Sequence, residues 1–407
     1  MSDIARIGLL GYGTVGAAFA ALVEERGDAI AAASGRRPAL AGVVRRGEGD
    51  FDDVLERAEI VVELIGGTEP ARTWVLRALE RGRHVVTANK QLIAQFGDEL
   101  FDAAREAGVQ LRFEAAVAGV VPVIRVIQES LAGTEITKVF GIVNGTTNFI
   151  LSEMASTGAT CAEALQRAQE LGYAEADPAE DVAGADAAAK MAILARLAFH
   201  APVRLADVSF EGITEIQPDD IAYAKELGLS LKLLGVAERL DGGISIRVFP
   251  CFLYPGHPLA PVEGPFNAVM VEAPAITEIT MSGPGAGGPE TATAVLGDVV
   301  SILAGKAPVH QPRDRLDIVR EARSSFYLHL EVADRPGVLA QVADVLGRNE
   351  VSVRSVVQRG HGTDARLVMV MHEGPESSFY AALREIAPLD FLRAAPRAIR
   401  VIEEEFV

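Results

Sequence analysis

Cysteine is almost missing from this chain of 407 residues: only Cys161 and Cys251 occur, which excludes a disulfide framework and a thiolate metal cage. Lysine is also scarce, confined to Lys90, Lys138, Lys190, Lys225, Lys232 and Lys306. Arginine supplies every other basic position, so a retained lysine marks a place where a compact, titratable ammonium is needed. The histidines are scattered without metal-ligand spacing and no Gly-x-Ser-x-Gly elbow occurs, so metal-assisted and serine hydrolysis drop out. The best membrane candidate, Ala187 to Val203, is broken by Lys190, Arg196 and His200 and falls short of the ~20 apolar residues a span needs. Basic charge is in deficit, leaving a formal net charge of −18, which disfavours nucleic acid and anionic membranes as partners. The chain opens directly on an apolar stretch, Ile4 to Leu10, with no basic leader, and a cytoplasmic location is expected.

What is present is globular: 49% hydrophobic and 23% charged residues, in a length that at about 150 residues per domain allows two or three domains. A strand at Ile4 to Leu10, the turn GYGTVG and an alanine-rich helix from Ala17 open a βαβ unit. Strands follow at Ala39 to Val44, Ile60 to Ile65, His84 to Thr87 and Val109 to Phe113, with helices at Asp52 to Ala58, Glu69 to Arg81 and Ala94 to Gly108. That alternation predicts an α/β fold, a doubly wound parallel sheet over residues 1–128. Residues 129–289 read as a mixed α+β domain containing a long helix from Ala183 to Phe199, and a helix near 290–310 is expected to pack back on the first domain. A linker over 311–324 leads to a βαββαβ unit at 325–407 with a hairpin at 359–364.

Gly11, Gly13 and Gly16 stand at Gly-x-Gly-x-x-Gly spacing between strand and helix. The first permits the tight turn, the second the approach of a pyrophosphate, the third close helix packing, with the phosphate on the helix N-terminus. Tyr12, Thr14 and Val15 complete this Rossmann-like turn. The second strand ends in Arg45 and Arg46 instead of a carboxylate, which suits a 2′-phosphate and favours NADP(H), with NAD(H) possible. Lys90, in TANK after a strand, projects from the carboxyl end of the sheet, where such folds bind ligands. The densest constellation is GYAEADPAEDVAGADAAAK, Gly172 to Lys190. Asp186 and Lys190 are four apart on one helix face, in a helix otherwise apolar, where a charge pair is costly unless used. Glu175, Asp177, Glu180 and Asp181 add carboxylates suited to an ammonium-bearing substrate. Hydride transfer to a carbonyl remains as the chemistry, with a lysine exchanging the proton.

VVELIGG (Val61 to Gly67), TANK, FEAAVAGVVPVI (Phe113 to Ile124), GIVNGTTNFIL (Gly141 to Leu151), the Gly172 to Lys190 segment and GPGAGG (Gly283 to Gly288) stand in one order. Together they resemble homoserine dehydrogenases over residues 1–310. The tail from Phe326, with DRPGVL at Asp334 to Leu339, resembles an ACT domain.

The resemblance implies reduction of L-aspartate 4-semialdehyde to L-homoserine with NAD(P)H, in threonine, methionine and isoleucine biosynthesis. It implies Lys190 as the proton donor and Lys90 as a lysine touching cofactor and substrate. Glu175, Asp186, Asp181, Tyr173, Asn144, Gly145 and Thr146 would line the substrate pocket. Gly67, Thr68, Gly172, Gly285 and Gly287 would lie on the cofactor side. Backbone around Glu114, Val117, Gly119 and Val121 would hold a structural sodium ion. The ACT turn, at Asp334, Gly337, Val338 and Leu339, would take an amino-acid effector such as threonine, in a homodimer or homotetramer. Another amino-acid dehydrogenase, such as one acting on aspartate, and a catalytically dead amino-acid sensor are the competing readings.

Overall fold

The computed structural model describes residues 3–306, 316–360 and 365–402. Most of the hairpin expected at 359–364, the start of the linker and the residues from Glu403 onward lie outside these ranges.

Five strands, β1 (Asp3–Leu10), β2 (Arg36–Val44), β3 (Ile60–Glu63), β4 (His84–Thr87) and β5 (Leu111–Arg112), form a parallel sheet in the order β2-β1-β3-β4-β5. The direction of winding reverses beside β1, so a crevice opens at its carboxyl end, above the glycine turn. Helix Gly288–Leu303 lies on helix Thr14–Ser34, burying Ala292, Val295 and Val299 with Phe19 and Val23 against Ile7 and Leu9 of β1.

Three helices begin earlier than apolar periodicity predicts, at Thr14, Lys90 and Gly145 in place of Ala17, Ala94 and Phe149. The starts at Lys90 and Gly145 are set by caps: Asn89 Oδ1 accepts from the Leu92 amide and Asn144 Oδ1 from the Thr147 amide. A helix at Pro218–Glu226 was not expected from the sequence, although Pro218 in its first turn and the acidic Asp219 and Asp220 are start signals.

The remaining strands are β6 (Lys138–Ile142), β7 (Ser209–Phe210), β8 (Ser230–Leu240), β9 (Gly243–Leu253), β10 (Phe266–Ala273), β11 (Thr277–Pro284), β12 (Arg323–Glu331), β13 (Val353–Arg359), β14 (Arg366–Met371), β15 (Gly374–Pro375) and β16 (Arg397–Ile402). They join into a single sheet ordered β11-β10-β6-β8-β9-β16-β12-β14-β13, with β7 and β15 beside it. The last unit is therefore continuous with the middle one, through parallel pairing of Cys251, Phe252 and Leu253 with Arg400, Val401 and Ile402. Within the segment read as a linker, Ile244 donates to the Asp317 carbonyl and Val319 to the Ile244 carbonyl. Buried polar contacts reinforce the junction: Asp220 meets His329 and pairs with Arg397, and Glu376 pairs with both Arg247 and Arg400.

Helix Ala185–Phe199 is buried almost throughout against this sheet. Gly141 and Gly235 face Met191 there; a Cβ at Gly235 would lie 2.5 Å from its sulfur. That close approach carries Lys190 to the end of β6.

Candidate active site

At the glycine turn, each glycine has a distinct steric reason. Gly11 has φ of +98°, and a Cβ there would sit 2.5 Å from the Leu64 carbonyl oxygen. A Cβ on Gly16 would collide with the Gly11 oxygen. Gly13 faces open space, with nothing within 4 Å of where a methyl would sit, so no packing contact in the fold calls for a glycine there. Helix Thr14–Ser34 has no side-chain cap, leaving first-turn amides for an anion. Tyr12 is exposed beside the turn with the Arg45 guanidinium over its ring, 4.4 Å from the centroid. Arg46 is exposed next to it. Val15 belongs to the core on the β1 side of the helix.

The acid–lysine constellation forms around Asp186, which is 2% exposed. Lys190 Nζ donates to Asp186 Oδ2 at 2.8 Å and to the Val143 carbonyl at 2.8 Å. Lys90, 96 residues away in sequence, donates to the other oxygen, Oδ1. Asn144 Nδ2 donates to Asp186 Oδ2 at 2.7 Å and to Asp181 Oδ1 at 2.6 Å. One buried carboxylate thus bridges two ammonium groups. Burial alone would raise the Asp186 pKa, but the charges of Lys190 and Lys90 outweigh it and hold the carboxyl well below its ordinary range. For Lys90, burial works to lower the pKa and Asp186 to raise it; the carboxylate prevails, so the ammonium is held charged.

Around this centre, Thr146 Oγ1 donates to the Tyr173 carbonyl at 2.8 Å, and the Tyr173 ring leans on Phe149. Gly145 packs on the Pro265 carbonyl. Gly172 lies in the exposed turn before Tyr173. Glu175 is exposed at the rim, and among the described residues no hydrogen bond joins its carboxylate to Asp186, Lys90 or Lys190. Gly285 closes the roof, its Cα against Asn267, while Gly288 abuts Thr14. Gly287 is the N-cap position of the helix that begins there.

Gly67 and Thr68 follow β3 in a loop that sequence reasoning read only in part. Its anchor is Glu63, fully buried, which accepts from the amides of Ile65 at 2.7 Å and Gly66 at 3.2 Å and from Thr87 Oγ1 at 2.5 Å. The one available signal was a lone carboxylate inside the apolar run VVELI.

Glu114 is buried and accepts from the amides of Ile124 and Arg125. Burial, reinforced by nearby Asp298, pushes its carboxyl up to about 7. Ala118 and Gly119 follow with φ of +59° and +63°, in a buried loop containing Val117 and Val121. Among the described residues no hydrogen bond reaches the carbonyl oxygens of Val117 and Gly119, a donor set that fits a hard monovalent cation. No cluster of three or more His, Cys, Asp or Glu side chains could hold a metal ion among the described residues. In the last unit, Asp334, Gly337, Val338 and Leu339 line a groove of 660 Å³, with Gly337 at φ +90° before helix Val338–Arg348.

An open glycine turn on a parallel sheet, together with paired ammonium groups on one buried carboxylate, marks a dinucleotide-dependent oxidoreductase. Comparison with known proteins agrees and goes further. The family described as homoserine dehydrogenase matches residues 122–300, its NAD-binding domain residues 11–114, and the ACT domain residues 327–391. The homoserine dehydrogenase of Mycobacterium tuberculosis is 43% identical, over 97% of each chain. The crystal structure of a homoserine dehydrogenase from Thiobacillus denitrificans superimposes with a TM-score of 0.94 at 36% identity, covering 99% of this chain and 100% of that one. A hyperthermophilic archaeal homoserine dehydrogenase in complex with NADPH matches with a TM-score of 0.65 at 27% identity, over 75% of this chain and 99% of that one. The chain belongs to the homoserine dehydrogenase family and carries a C-terminal ACT domain. It is an NAD(P)-dependent oxidoreductase acting on a CH–OH group. Among the described residues no helix is long and apolar enough to cross a membrane.

Proposed function

We propose that this chain interconverts L-homoserine and L-aspartate 4-semialdehyde with NADP(H) as the preferred cofactor, using Lys190 for proton exchange and Lys90 to orient the reactants. The observation that carries this is the sharing of buried Asp186 by the two ammonium groups. An ammonium has three protons, and two of those on Lys190 are committed to Asp186 and Val143. The third is left for the oxygen of the substrate carbonyl. Bound nicotinamide supplies the hydride. In the reductive direction Lys190 gives its proton to the forming alkoxide; in the oxidative direction its amine takes the proton from the hydroxyl. Asp186 keeps both nitrogens in place and offsets their mutual repulsion.

Asp181 and rim residue Glu175 are suited to the substrate ammonium, with Tyr173, Asn144, Gly145 and Thr146 as the wall. The pyrophosphate would meet Gly11, Gly13 and Gly16, beside Gly67, Thr68, Gly172, Gly285 and Gly287. Arg46 and the Tyr12-stacked Arg45 support a 2′-phosphate. The unbonded carbonyls of Val117 and Gly119, beside Glu114 and Val121, support a structural sodium ion that would brace the roof loop, since Gly119 packs on the Gly285 backbone. The Asp334–Leu339 groove supports an amino-acid effector such as threonine, within a cytoplasmic homo-oligomer.

The test is a rate measurement. Purified protein is expected to oxidise NADPH only when aspartate semialdehyde is added, faster than NADH, and more slowly with threonine. Lys190→Ala is expected to lose about 100-fold or more in turnover while binding NADPH as before. Near-normal turnover in that variant would overturn the assignment.

A further inference from the structure

We propose that Glu63 and Thr87 are positioning residues for catalysis, locking Lys90 to the glycine loop that follows β3. This rests on the reading of Lys90 given above. Glu63 is the last residue of β3 and pairs with Thr87, the last of β4. One carboxyl oxygen gathers the Ile65 and Gly66 amides, and the other receives the Thr87 hydroxyl. Thr87 Oγ1 in turn accepts from the Asn89 amide at 3.0 Å. Asn89 Nδ2 donates to the Gly67 carbonyl at 2.6 Å, and Asn89 Oδ1 caps the helix that starts at Lys90. With the peptide link between Gly66 and Gly67, these bonds close a ring from Glu63 through Thr87, Asn89, Gly67 and Gly66 back to Glu63.

A carboxyl group amid Val61, Val62, Leu64 and Ile65 is expensive unless every lone pair is used. Stability alone is better served there by another aliphatic residue. Each side-chain bond of Glu63 goes to the glycine loop or to the segment bearing Lys90, so the burial produces registration between those two. Lys90 is the first helical residue after Asn89, and its reach to Asp186 depends on where Asn89 is held. A hydrogen-bonded ring of this kind stiffens cooperatively, and misplacement of a reacting group by about 1 Å costs on the order of 100-fold in rate.

The experiment uses the full chain and compares Thr87→Val, Thr87→Ser, Glu63→Gln, Lys90→Ala and the Thr87→Val/Lys90→Ala double variant. Turnover with aspartate semialdehyde is measured beside NADPH affinity by fluorescence titration. Thr87→Val is expected to lower kcat roughly 10- to 100-fold with little change in NADPH affinity. Thr87→Ser is expected to restore most of it, Glu63→Gln to fall between, and Thr87→Val to cost nothing further once Lys90 is alanine. Thr87→Val with parental kcat, Thr87→Ser failing as badly as valine, or losses that multiply in the double variant would each overturn the positioning role. If Glu63→Gln does not fold, the threonine series decides. Parental turnover in Lys90→Ala is a different failure: it would remove the role given to the lysine, and this proposal with it.

Discussion

Replacing Asp186 by asparagine tests the electrostatic logic of the site most directly. The side chain keeps its size, but the negative charge that joins Lys90 and Lys190 disappears. The repulsion between the two ammonium groups, offset by Asp186 in the parent, is then unopposed; for unit charges roughly 5 Å apart at an effective dielectric of about 20 it is on the order of 3 kcal/mol. Losing the carboxylate's attraction, with the repulsion between the two nitrogens unopposed, favours the neutral amine on one of them. Asparagine also turns an amide donor toward Asn144 Nδ2 or a lysine, where Asp186 offered only acceptors. Breaking a buried pair costs about 3–5 kcal/mol. The lysine side chains are 31% and 15% exposed, which relieves part of this, so a stability loss of about 2–3 kcal/mol is expected. The pH dependence has a definite sign. The native carboxyl of Asp186 is held well below its ordinary range, so its stabilising contribution is fully present above that range and is lost progressively as the pH falls from the ordinary value through the lower native one. Parent and variant should therefore differ most near neutrality and converge in acid. Urea unfolding between pH 3 and 8 reads the stability, and homoserine oxidation followed by NADPH absorbance from pH 6 to 10 reads the lysine. A variant with parental stability, an unshifted rise of the oxidation rate with pH and near-parental turnover would refute the reasoning.

Gly13→Ala is expected to fold normally, because its methyl points into open space, yet to weaken NADPH binding by about 10-fold or more as the pyrophosphate loses its approach; a calorimetric titration checks this. Gly16→Ala places a Cβ against the Gly11 carbonyl and is expected to show a lowered thermal midpoint even without cofactor, so equal midpoints would refute the steric reading. Arg46→Ala is expected to reduce kcat/KM about 10-fold with NADPH while sparing NADH, in line with the loss of one charge-assisted phosphate contact; equal losses with both cofactors would count against the 2′-phosphate.

Much of the fold was legible because it is written in local geometry. The glycine turn, the strand and helix alternation of residues 1–128 and the βαββαβ tail each follow from periodicity and turn chemistry within short windows. Helix starts were displaced where a side-chain cap sets the first residue, as at Lys90 and Gly145, and Pro218–Glu226 was missed because its apolar face is short. The parallel pairing of β9 with β16 joins residues about 150 positions apart in sequence, and no local pattern encodes such a partner.

In the site, the sequence by itself determined that Asp186 and Lys190 share a helix face, since four residues is slightly more than one turn. It also determined that a dinucleotide turn opens the chain and that Lys90 leaves the carboxyl end of a strand. Only the tertiary structure decided that Lys90 and Lys190 meet on the same carboxylate, that Asn144 ties Asp181 to it, and that Glu63 binds the glycine loop to the Lys90 segment. It also left Glu175 at the rim, apart from the acids read beside it. The division has one cause: backbone dihedrals fix neighbours within a turn or two, whereas contacts across the cleft depend on how whole elements pack, here on helix Ala185–Phe199 seating against glycines of the mixed sheet.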